Sequence, residues 1–172
     1  HLHISLQSGS DKILRLMNRH DYSSADFKDS LERYYLALKV RSLFVAADVI
    51  VGFPEEDIND FKRTYDVIND SPVNKLHVFV FSPRPGTKAL EMKNTVDIIE
   101  AKQRSAKLLE LSDKKYFASL KNMVGKKVEV LWEDDTKGHS DNYYPISGQG
   151  IKNTLEDRTV LSADLENKTL IV

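Results

Sequence analysis

Three short segments of the sequence carry residue types that can hold a small polar ligand. They are Gln7-Ser8-Gly9-Ser10, Gly52-Phe53-Pro54-Glu55 and the stretch from Ser82 to Thr87. Glycine lets the backbone approach a ligand closely, and the amide and hydroxyl groups can hydrogen-bond to a ribose or to a carboxylate. Glycine and proline also end strands for structural reasons alone, so one segment of this kind does not by itself indicate a binding site. The recurrence of the pattern favours a common binding site.

Each of these segments follows a predicted β-strand. Apolar runs predict strands from His1 to Gln7, from Leu43 to Val51 and from Leu76 to Phe81, the second of them buried on both faces. Apolar residues at helical spacing predict four helices. These are a short helix capped by Ser10, a helix from Ser23 or Ser24 with Phe27, Leu31, Tyr34 and Leu38 on one face, a helix from about Asp57 to Asn69, and a long helix from roughly Thr95 to Leu120.

The alternation of strands and helices predicts the fold class. It is typical of an α/β protein with a parallel sheet, and we expect an incomplete TIM-type barrel in which ligands bind at the carboxyl ends of the strands. Three strand–helix units do not close a barrel, so a sheet edge should be left unpaired and open to self-association. The chain also begins at His1 instead of an initiator methionine. We therefore expect a piece of a longer protein.

The sequence changes character after Met123. Short strands separated by polar turns are predicted from Lys127 to Trp132, from Tyr143 to Ser147, from Val160 to Ala163 and from Thr169 to Val172. This spacing predicts a small antiparallel β-barrel. The expected domains are residues 1–122 and residues 123–172.

Charge gives little support for RNA binding by the whole chain. The net charge is −1, and residues 123–172 contain six basic and nine acidic residues. Phosphate attraction must therefore come from a local surface. The candidate RNA-binding residues of the second domain are basic or can stack on bases: Lys126, Lys127, His139, Asn142, Tyr143 and Tyr144. The alternative for the tyrosines is that they are half-buried strand residues.

Other classes of site have weak support. The chain has no cysteine, so it supplies no disulfide, no thiolate nucleophile and no ligand for an iron–sulfur cluster. His1 and His3 alternate on a strand but have no third metal ligand nearby in sequence, and His77 is expected to be a hydrogen-bonded core residue. No apolar run is long enough to span a membrane, so we expect a cytoplasmic protein without a membrane partner.

Longer motifs point to a family. The segments HLHISLQSGSDKILRLMNR, DVIVGFP and FSPRPGTKALEM, in this order and spacing, resemble the MiaB/MtaB family of radical S-adenosylmethionine tRNA methylthiotransferases. The segments GKKVEVLWE and GHSDNYYPI resemble the start of a TRAM domain, the OB-like RNA-binding barrel that ends these enzymes. HLHISLQSGS and GHSDNYYPI look closer to the MtaB branch, which modifies threonylcarbamoyladenosine beside the anticodon. The resemblance weakens after about Ser147.

The resemblance implies a transferase with demanding cofactor chemistry. Such enzymes hold two 4Fe-4S clusters, one in an N-terminal domain and one on a three-cysteine loop of the radical barrel. The second cluster cleaves S-adenosylmethionine to a radical that abstracts hydrogen from an aromatic C–H of the tRNA base. The first cluster is thought to deliver sulfur, and another S-adenosylmethionine supplies the methyl group. This chain would supply the later barrel strands and should be inactive alone, because it has no cysteine to hold a cluster.

The resemblance also implies the positions of the cofactor-binding residues. Gln7 and Ser8 would lie near the ribose or amino-acid end of S-adenosylmethionine. Asp48, Ile50 and Gly52 would line the adenine, in a partial match to the GxIxG pattern with Asp48 in place of the first glycine. A third wall would consist of Ser82, Pro83 and Arg84, where Arg84 either pairs with a phosphate or carboxylate or makes only a surface salt bridge.

One departure from the family pattern lies in the second loop. The family usually continues GFP with Gly-Glu-Thr, whereas Glu55, Glu56 and Asp57 follow Pro54 here. The departure leaves the conformation of this turn open. Two other functional hypotheses also remain, a non-catalytic RNA-binding module on an α/β scaffold and a barrel enzyme that uses Asp48 or Glu55 as acid or base.

Overall fold

The first half of the chain forms a parallel sheet with helices. The computed structural model describes residues 1–37, 43–93 and 96–172. The sheet has three parallel strands in the order β1 (Leu2–Gln7), β2 (Val45–Val51) and β3 (Lys75–Val80). The helices are α1 (Asp11–Leu16), α2 (Ser24–Ala37), α3 (Ile58–Asn69), α4 (Lys88–Glu91) and α5 (Ile98–Lys121). The α/β class and the parallel sheet are confirmed, and the described strands do not close into a barrel.

Helices cover one face of the parallel sheet. The β2 side chains that alternate from Val45 to Val51 pack with helix residues in one apolar core, which includes Leu31, Phe61 and Leu108. The opposite face is largely open, and Asp48 and Ile50 on it are only half-buried. The prediction that β2 is buried on both faces was therefore wrong for its carboxyl half.

The predicted helices agree with the structure to within a few residues. Asp57 caps α3, and its carboxylate accepts hydrogen bonds from two backbone N–H groups of the first turn. Ser10 occupies the cap position of α1, but its side chain makes no capping hydrogen bond, so that prediction was wrong in its mechanism. Helix α4 was not predicted. The expected helix positions Leu38 and Thr95 lie outside the described residues.

The second half of the chain forms a separate mixed sheet. Its six strands have the order β7-β4-β5-β6-β9-β8, and β6 pairs with β9 in parallel while the other pairs are antiparallel. The predicted antiparallel pairing is therefore wrong for β6 and β9, and the described strands of this sheet do not form a closed barrel. The strands are β4 (Lys127–Trp132), β5 (Lys137–Ser140), β6 (Pro145–Ser147), β7 (Leu155–Thr159), β8 (Ser162–Asp164) and β9 (Thr169–Ile171).

The mixed sheet packs against the amino end of the parallel strands. Its apolar core includes Trp132, which is fully buried, and also takes in Phe44 just before β2 and Tyr116 of α5. The Phe44 and Tyr144 rings meet edge-on with centroids 4.9 Å apart. The three loops predicted to bind a ligand lie at the other end of the strands. In the part of the chain that the structure describes, no helix is both long and apolar enough to cross a membrane.

Candidate ligand-binding cleft

The first loop is fastened to helix α3 by hydroxyl groups. Gln7 has a left-handed backbone with φ 64°, at a point where the register between β1 and β2 shifts. The Ser8 hydroxyl is fully buried and lies 3.2 Å from Thr64 Oγ1, which also accepts a hydrogen bond of 2.9 Å from Gly9 N–H. A Cβ atom at Gly9 would lie only 2.6 Å from Thr64 Cα. Ser8 and Gly9 therefore hold the loop in place.

The second loop is organised around a buried carboxylate. Gly52 has φ 74°, and its N–H donates a hydrogen bond of 2.7 Å to Glu56 Oε2. The same oxygen lies 2.6 Å from Arg104 Nη1 of α5, and the other guanidinium nitrogen, Nη2, pairs with Glu100. Burial raises the pKa of Glu56, although the hydrogen bonds from Gly52 and Arg104 oppose the rise. Glycine is required at position 52, because a Cβ atom there would lie only 2.8 Å from Ala101 Cβ.

Asp60 connects the first and second loops. Its carboxylate accepts hydrogen bonds from Ser10 Oγ at 2.7 Å and from Lys12 Nζ at 2.6 Å. It also accepts a hydrogen bond from Asp57 N–H at 3.1 Å, while Lys12 donates to the Glu55 carbonyl at 2.9 Å. Burial alone would raise the pKa of Asp60, but the hydrogen bonds from Lys12 and Ser10 outweigh it and hold that pKa below its ordinary value. These bonds therefore join the two loops directly.

The third loop is exposed to solvent. Ser82, Pro83 and Arg84 are all exposed, and the Thr87 hydroxyl donates a hydrogen bond of 2.8 Å to the Arg84 carbonyl. Among the described residues the Arg84 guanidinium makes no ion pair. The loop follows β3 at the same edge of the sheet as the other two, so the expected meeting of the three loops at one edge is confirmed.

A cleft of about 740 Å³ opens at this edge of the sheet. It brings together Gln7 from the first predicted loop and Ile50 from the second strand, and Phe53 adds an aromatic ring to the wall. Its volume lies within the range of ligand pockets, about 300–1,000 Å³. The lining includes Thr87 of the third loop but not Ser82, Pro83 or Arg84, and it does not include Ser8 or Gly52. The remaining lining residues are Arg15, Leu16, Met17, Asn18, Arg19, Thr87, Lys88, Ala89 and Met92.

Sequence reasoning missed the residues that surround this cleft on the α1 side. Arg15 lies in the last turn of α1, whereas Arg19 follows the end of that helix at Leu16, so helical spacing does not identify them as neighbours. Strained backbone is also concentrated nearby, because Asn18 and Glu55 have left-handed φ values of 60° and 67°. Such conformations cluster at functional sites. The ion pair of Glu56 and Arg104 could not have been found from the sequence, since 48 positions separate the two residues.

Asp48 lies on the open face of the sheet, two residues before Ile50 on β2. Its Oδ1 atom is 2.7 Å from His3 Nε2, and the His3 ring stacks on His77 with centroids 4.9 Å apart. His77 is half-buried on this open face. It lies outside the apolar core, so the prediction that His77 is a core residue was wrong. Within the described ranges, no group of three or more histidine, aspartate or glutamate side chains is arranged to hold a metal ion.

The candidate RNA-binding residues of the mixed sheet fall into two groups. Tyr144 and Asn142 are buried, with Tyr144 only 2% exposed, so their side chains face the core. Tyr143 is 59% exposed, has φ 74°, and lies between the His1 and His139 rings at centroid distances of 4.6 and 5.4 Å. Lys126 and Lys127 are exposed at the start of β4. The Tyr143 ring already stacks on His1, and His139 is half-buried with its Nδ1 atom 3.2 Å from Glu133 Oε1, so both stay predictions as RNA-binding residues.

Comparison with known proteins identifies relatives of one kind. No protein-family model matches the chain. It is 36% identical over 167 residues to the threonylcarbamoyladenosine tRNA methylthiotransferase MtaB of Bacillus subtilis and 34% identical over 152 residues to that of Aquifex aeolicus. It is 36% identical over 162 residues to the tRNA-2-methylthio-N(6)-dimethylallyladenosine synthase of Oceanobacillus iheyensis. These alignments cover 90%, 88% and 90% of this chain but 36%, 36% and 31% of the relatives, so the chain spans about a third of their length.

Proposed function

Because this chain belongs to the MiaB/MtaB family of tRNA methylthiotransferases, we propose that it is the C-terminal third of such an enzyme and forms part of its cofactor site. The observation that carries the proposal is the cleft at the carboxyl edge of the parallel sheet, where Gln7 and Ile50 meet. Ligands of parallel α/β barrels bind at this edge. The whole enzyme would be a radical S-adenosylmethionine transferase that acts on tRNA in the cytoplasm.

The residues of the cleft fit part of S-adenosylmethionine. Ile50 and Phe53 present an apolar wall for a purine, and the Gln7 amide can hydrogen-bond to a ribose. When bound, the cofactor would supply the radical and the methyl group. This chain would orient the nucleoside, and the fixed loops around Asp60 and Glu56 would hold the wall in place. Ser8, Asp48, Gly52, Ser82, Pro83 and Arg84 stay predictions as cofactor-binding residues.

The iron–sulfur clusters do not fit this chain. It has no cysteine at all, and cysteine thiolates are the usual cluster ligands. The ligands would have to come from another part of the parent protein, where we expect a Cys-x3-Cys-x2-Cys loop. We expect no deoxyadenosine from this chain after reconstitution with iron and sulfide. Production of deoxyadenosine under those conditions would contradict the proposal.

The substrate we propose is threonylcarbamoyladenosine beside the anticodon. The motifs HLHISLQSGS and GHSDNYYPI look closer to the MtaB branch, and two of the relatives above carry that name. Residues 1–122 would be barrel and residues 123–172 a TRAM-like domain. Support comes from the change of architecture between α5, which ends at Lys121, and β4, which begins at Lys127. The anticodon stem-loop would be the RNA partner, and the open edges of β1 and β3 would pair with further strands or with a second copy.

A test of the function requires the parent gene. In cells that lack it, mass spectrometry of tRNA nucleosides should show loss of the methylthio form of threonylcarbamoyladenosine. Complementation with Ile50→Asp should fail, whereas Ile58→Asp should restore the nucleoside, because Ile58 lies on α3 with its side chain 60% exposed. Loss of methylthio-dimethylallyladenosine instead would keep the family and change the substrate. Unchanged nucleosides would overturn the proposal in favour of a non-catalytic RNA-binding module.

A further inference from the structure

The open face of the parallel sheet carries a row of polar side chains. Ser5 of β1, Asp48 of β2 and His77 of β3 are paired side by side in the register of the three strands. Paired residues of a parallel sheet point to the same face, and this face is opposite to the one that the helices cover. The row lies two residues before the pair of Ile50 and Phe79, and therefore about 7 Å from that pair along the strands.

Two histidines and one carboxylate form a connected cluster around this row. His3 Nε2 lies 2.7 Å from Asp48 Oδ1, so these two side chains are hydrogen-bonded. The His3 ring stacks on the His77 ring with centroids 4.9 Å apart and an interplanar angle of 23°. Because a stacked ring loses this contact when it turns, His3 fixes the plane of the His77 ring. Asp48 acts on His77 only through His3.

The nitrogens of the His77 ring are available to a ligand. His77 is half-buried, and within the described ranges neither of its ring nitrogens makes a hydrogen bond. The nearest cation along β3, Lys75, is directed elsewhere, with its Nζ atom 5.5 Å from the centre of the Tyr116 ring. A histidine ring always carries at least one N–H donor, and hydrogen bonds from such donors to a carboxylate are among the strong ones. The His77 ring is therefore suited to bind an anionic oxygen.

Two kinds of group at N6 of adenosine distinguish the relatives of this chain. The MtaB relatives are named for threonylcarbamoyladenosine, and the Oceanobacillus iheyensis enzyme is named for dimethylallyladenosine. A threonylcarbamoyl group has a carboxylate and a hydroxyl, whereas a dimethylallyl group consists only of hydrocarbon. A polar group that leaves water requires hydrogen-bond partners, and a hydrocarbon group requires an apolar wall. The polar row on the open face therefore fits the threonylcarbamoyl group better.

We propose that His77 determines substrate specificity by donating a hydrogen bond to the carboxylate of the threonylcarbamoyl group. His3 and Asp48 are positioning residues that hold the His77 ring for this contact. The inference rests on the proposed function, since it takes threonylcarbamoyladenosine to be the substrate. It goes further by naming the side chain that recognises the group at N6.

The substrate and the cofactor use different parts of the sheet in this arrangement. The cofactor keeps the wall of Ile50 and Phe53, and the N6 group occupies the row nearer the amino end, whose residues do not line the cleft. The hydrogen bond from His3 offsets the negative charge of Asp48 beside the bound carboxylate. A carboxylate has two oxygens, so this bond does not prevent the predicted contact of Asp48 with the cofactor adenine.

The test uses the parent enzyme and two anticodon stem-loop RNAs. One RNA carries threonylcarbamoyladenosine, and the other carries its methyl ester, which lacks the negative charge. Mass spectrometry follows the methylthiolation of each, and kcat/KM is compared. The wild type should prefer the carboxylate by about tenfold, as expected for one hydrogen bond to a charged group. His77→Leu should lower kcat/KM about tenfold for the carboxylate and little for the ester, so the preference disappears.

Further variants separate recognition from folding. His77→Gln keeps an N–H donor and should retain most of the preference for the carboxylate. His3→Leu removes the stacked ring and should reduce the preference less than His77→Leu does. The matched control is His20→Leu, which changes an exposed histidine outside the row and should behave as the wild type. Circular dichroism checks that each variant is folded.

Several outcomes would overturn the inference. Equal losses on both RNAs in His77→Leu would show that His77 is only structural, and an unchanged preference would show that another group binds the carboxylate. A loss of affinity for S-adenosylmethionine in this variant, measured by calorimetry, would assign the row to the cofactor. If His77→Leu does not fold, the wild type and His77→Gln still decide, because a wild type without a preference for the carboxylate contradicts the inference.

Failure of the inference can be distinguished from failure of the proposed function. If the parent enzyme methylthiolates threonylcarbamoyladenosine and His77→Leu keeps the preference, the proposed function stands and only the inference fails. If the parent enzyme acts on an RNA with dimethylallyladenosine instead, or on neither RNA, the proposed substrate fails and the inference fails with it.

Discussion

The two ends of the parallel strands are stabilised by different kinds of contact. At the amino end, Phe44 packs with Tyr116 and Tyr144 in an apolar cluster under the mixed sheet. At the carboxyl end, the loops are held by the buried carboxylates of Glu56 and Asp60. Apolar contacts tolerate changes of shape, whereas hydrogen bonds and ion pairs fix distances and directions. We therefore expect the loops at the cleft to depend on specific groups more than the apolar cluster does, and four measurements of unfolding free energy in urea test this difference.

The largest effect is expected at the amino end. Phe44→Ala should lower the free energy of unfolding by about 4 kcal/mol, because it leaves a cavity between the two halves of the chain. Phe44→Leu should cost only about 1 kcal/mol, since it keeps most of the apolar volume. Phe79→Ala is the matched control, with a ring that is 54% exposed, and should change little. Equal costs for the leucine and alanine variants would show that this end also demands a specific shape.

A somewhat smaller loss is expected when the buried ion pair is broken. Arg104→Met should cost about 3 kcal/mol, because it leaves the Glu56 carboxylate buried without its cation. Adding Glu56→Gln to that variant should restore much of the loss. A single variant as stable as the wild type would show that the pair does not hold the second loop.

The third effect depends on pH. Asp60→Asn should cost about 2 kcal/mol at neutral pH, because it weakens charge-assisted hydrogen bonds from Lys12 and Ser10. The pKa of Asp60 is lowered on folding, so its contribution is present above about pH 4 and is lost as the pH falls through the lower folded value. The cost of the substitution should therefore shrink as the pH is lowered below about 4. A constant cost across that range would contradict the direction of the pKa shift.

The smallest effect is a gain in stability. Glu55 stands where the family usually has glycine, and its φ of 67° is the left-handed conformation that glycine adopts without strain. Glu55→Gly should raise the free energy of unfolding by about 0.5–1 kcal/mol, after the greater chain entropy of glycine is included. Glu55→Ala keeps the Cβ atom and should give no such gain. If both variants gain equally, the charge of Glu55 and not its backbone is the cause.

The sequence could predict those features that depend on local patterns. The strands of the parallel sheet, the extent of helix α3 and the meeting of three loops at one edge all follow from periodicity and turn residues. Strand β5 was missed because its sequence, KGHS, has no apolar alternation, and β7 was missed because LEDRT is mostly charged. The parallel pairing of β6 and β9 depends on contacts distant in sequence.

The sequence indicates which loops lie near the cleft better than which side chains face it. Gln7 and Ile50 line the cleft, whereas the Ser8 hydroxyl contacts Thr64 of the protein itself. Whether a hydroxyl faces a ligand or a neighbouring helix is decided by tertiary packing, which no short motif contains. The same holds for Tyr143 and Tyr144, which are adjacent in sequence but exposed and buried respectively.

Strand β1 lies between the surface around Tyr143, which is a candidate for RNA contact, and the cleft that we propose for the cofactor. His1 stacks on Tyr143 at its amino end, and Gln7 lines the cleft at its other end. At about 3.3 Å per residue, these positions lie roughly 20 Å apart. One nucleotide cannot reach across that distance, so an RNA that touches both surfaces must bring two different parts of its own fold to them. The length of β1 would therefore set the minimum size of an RNA that contacts both surfaces, and a hairpin too short for that span would bind at one surface only.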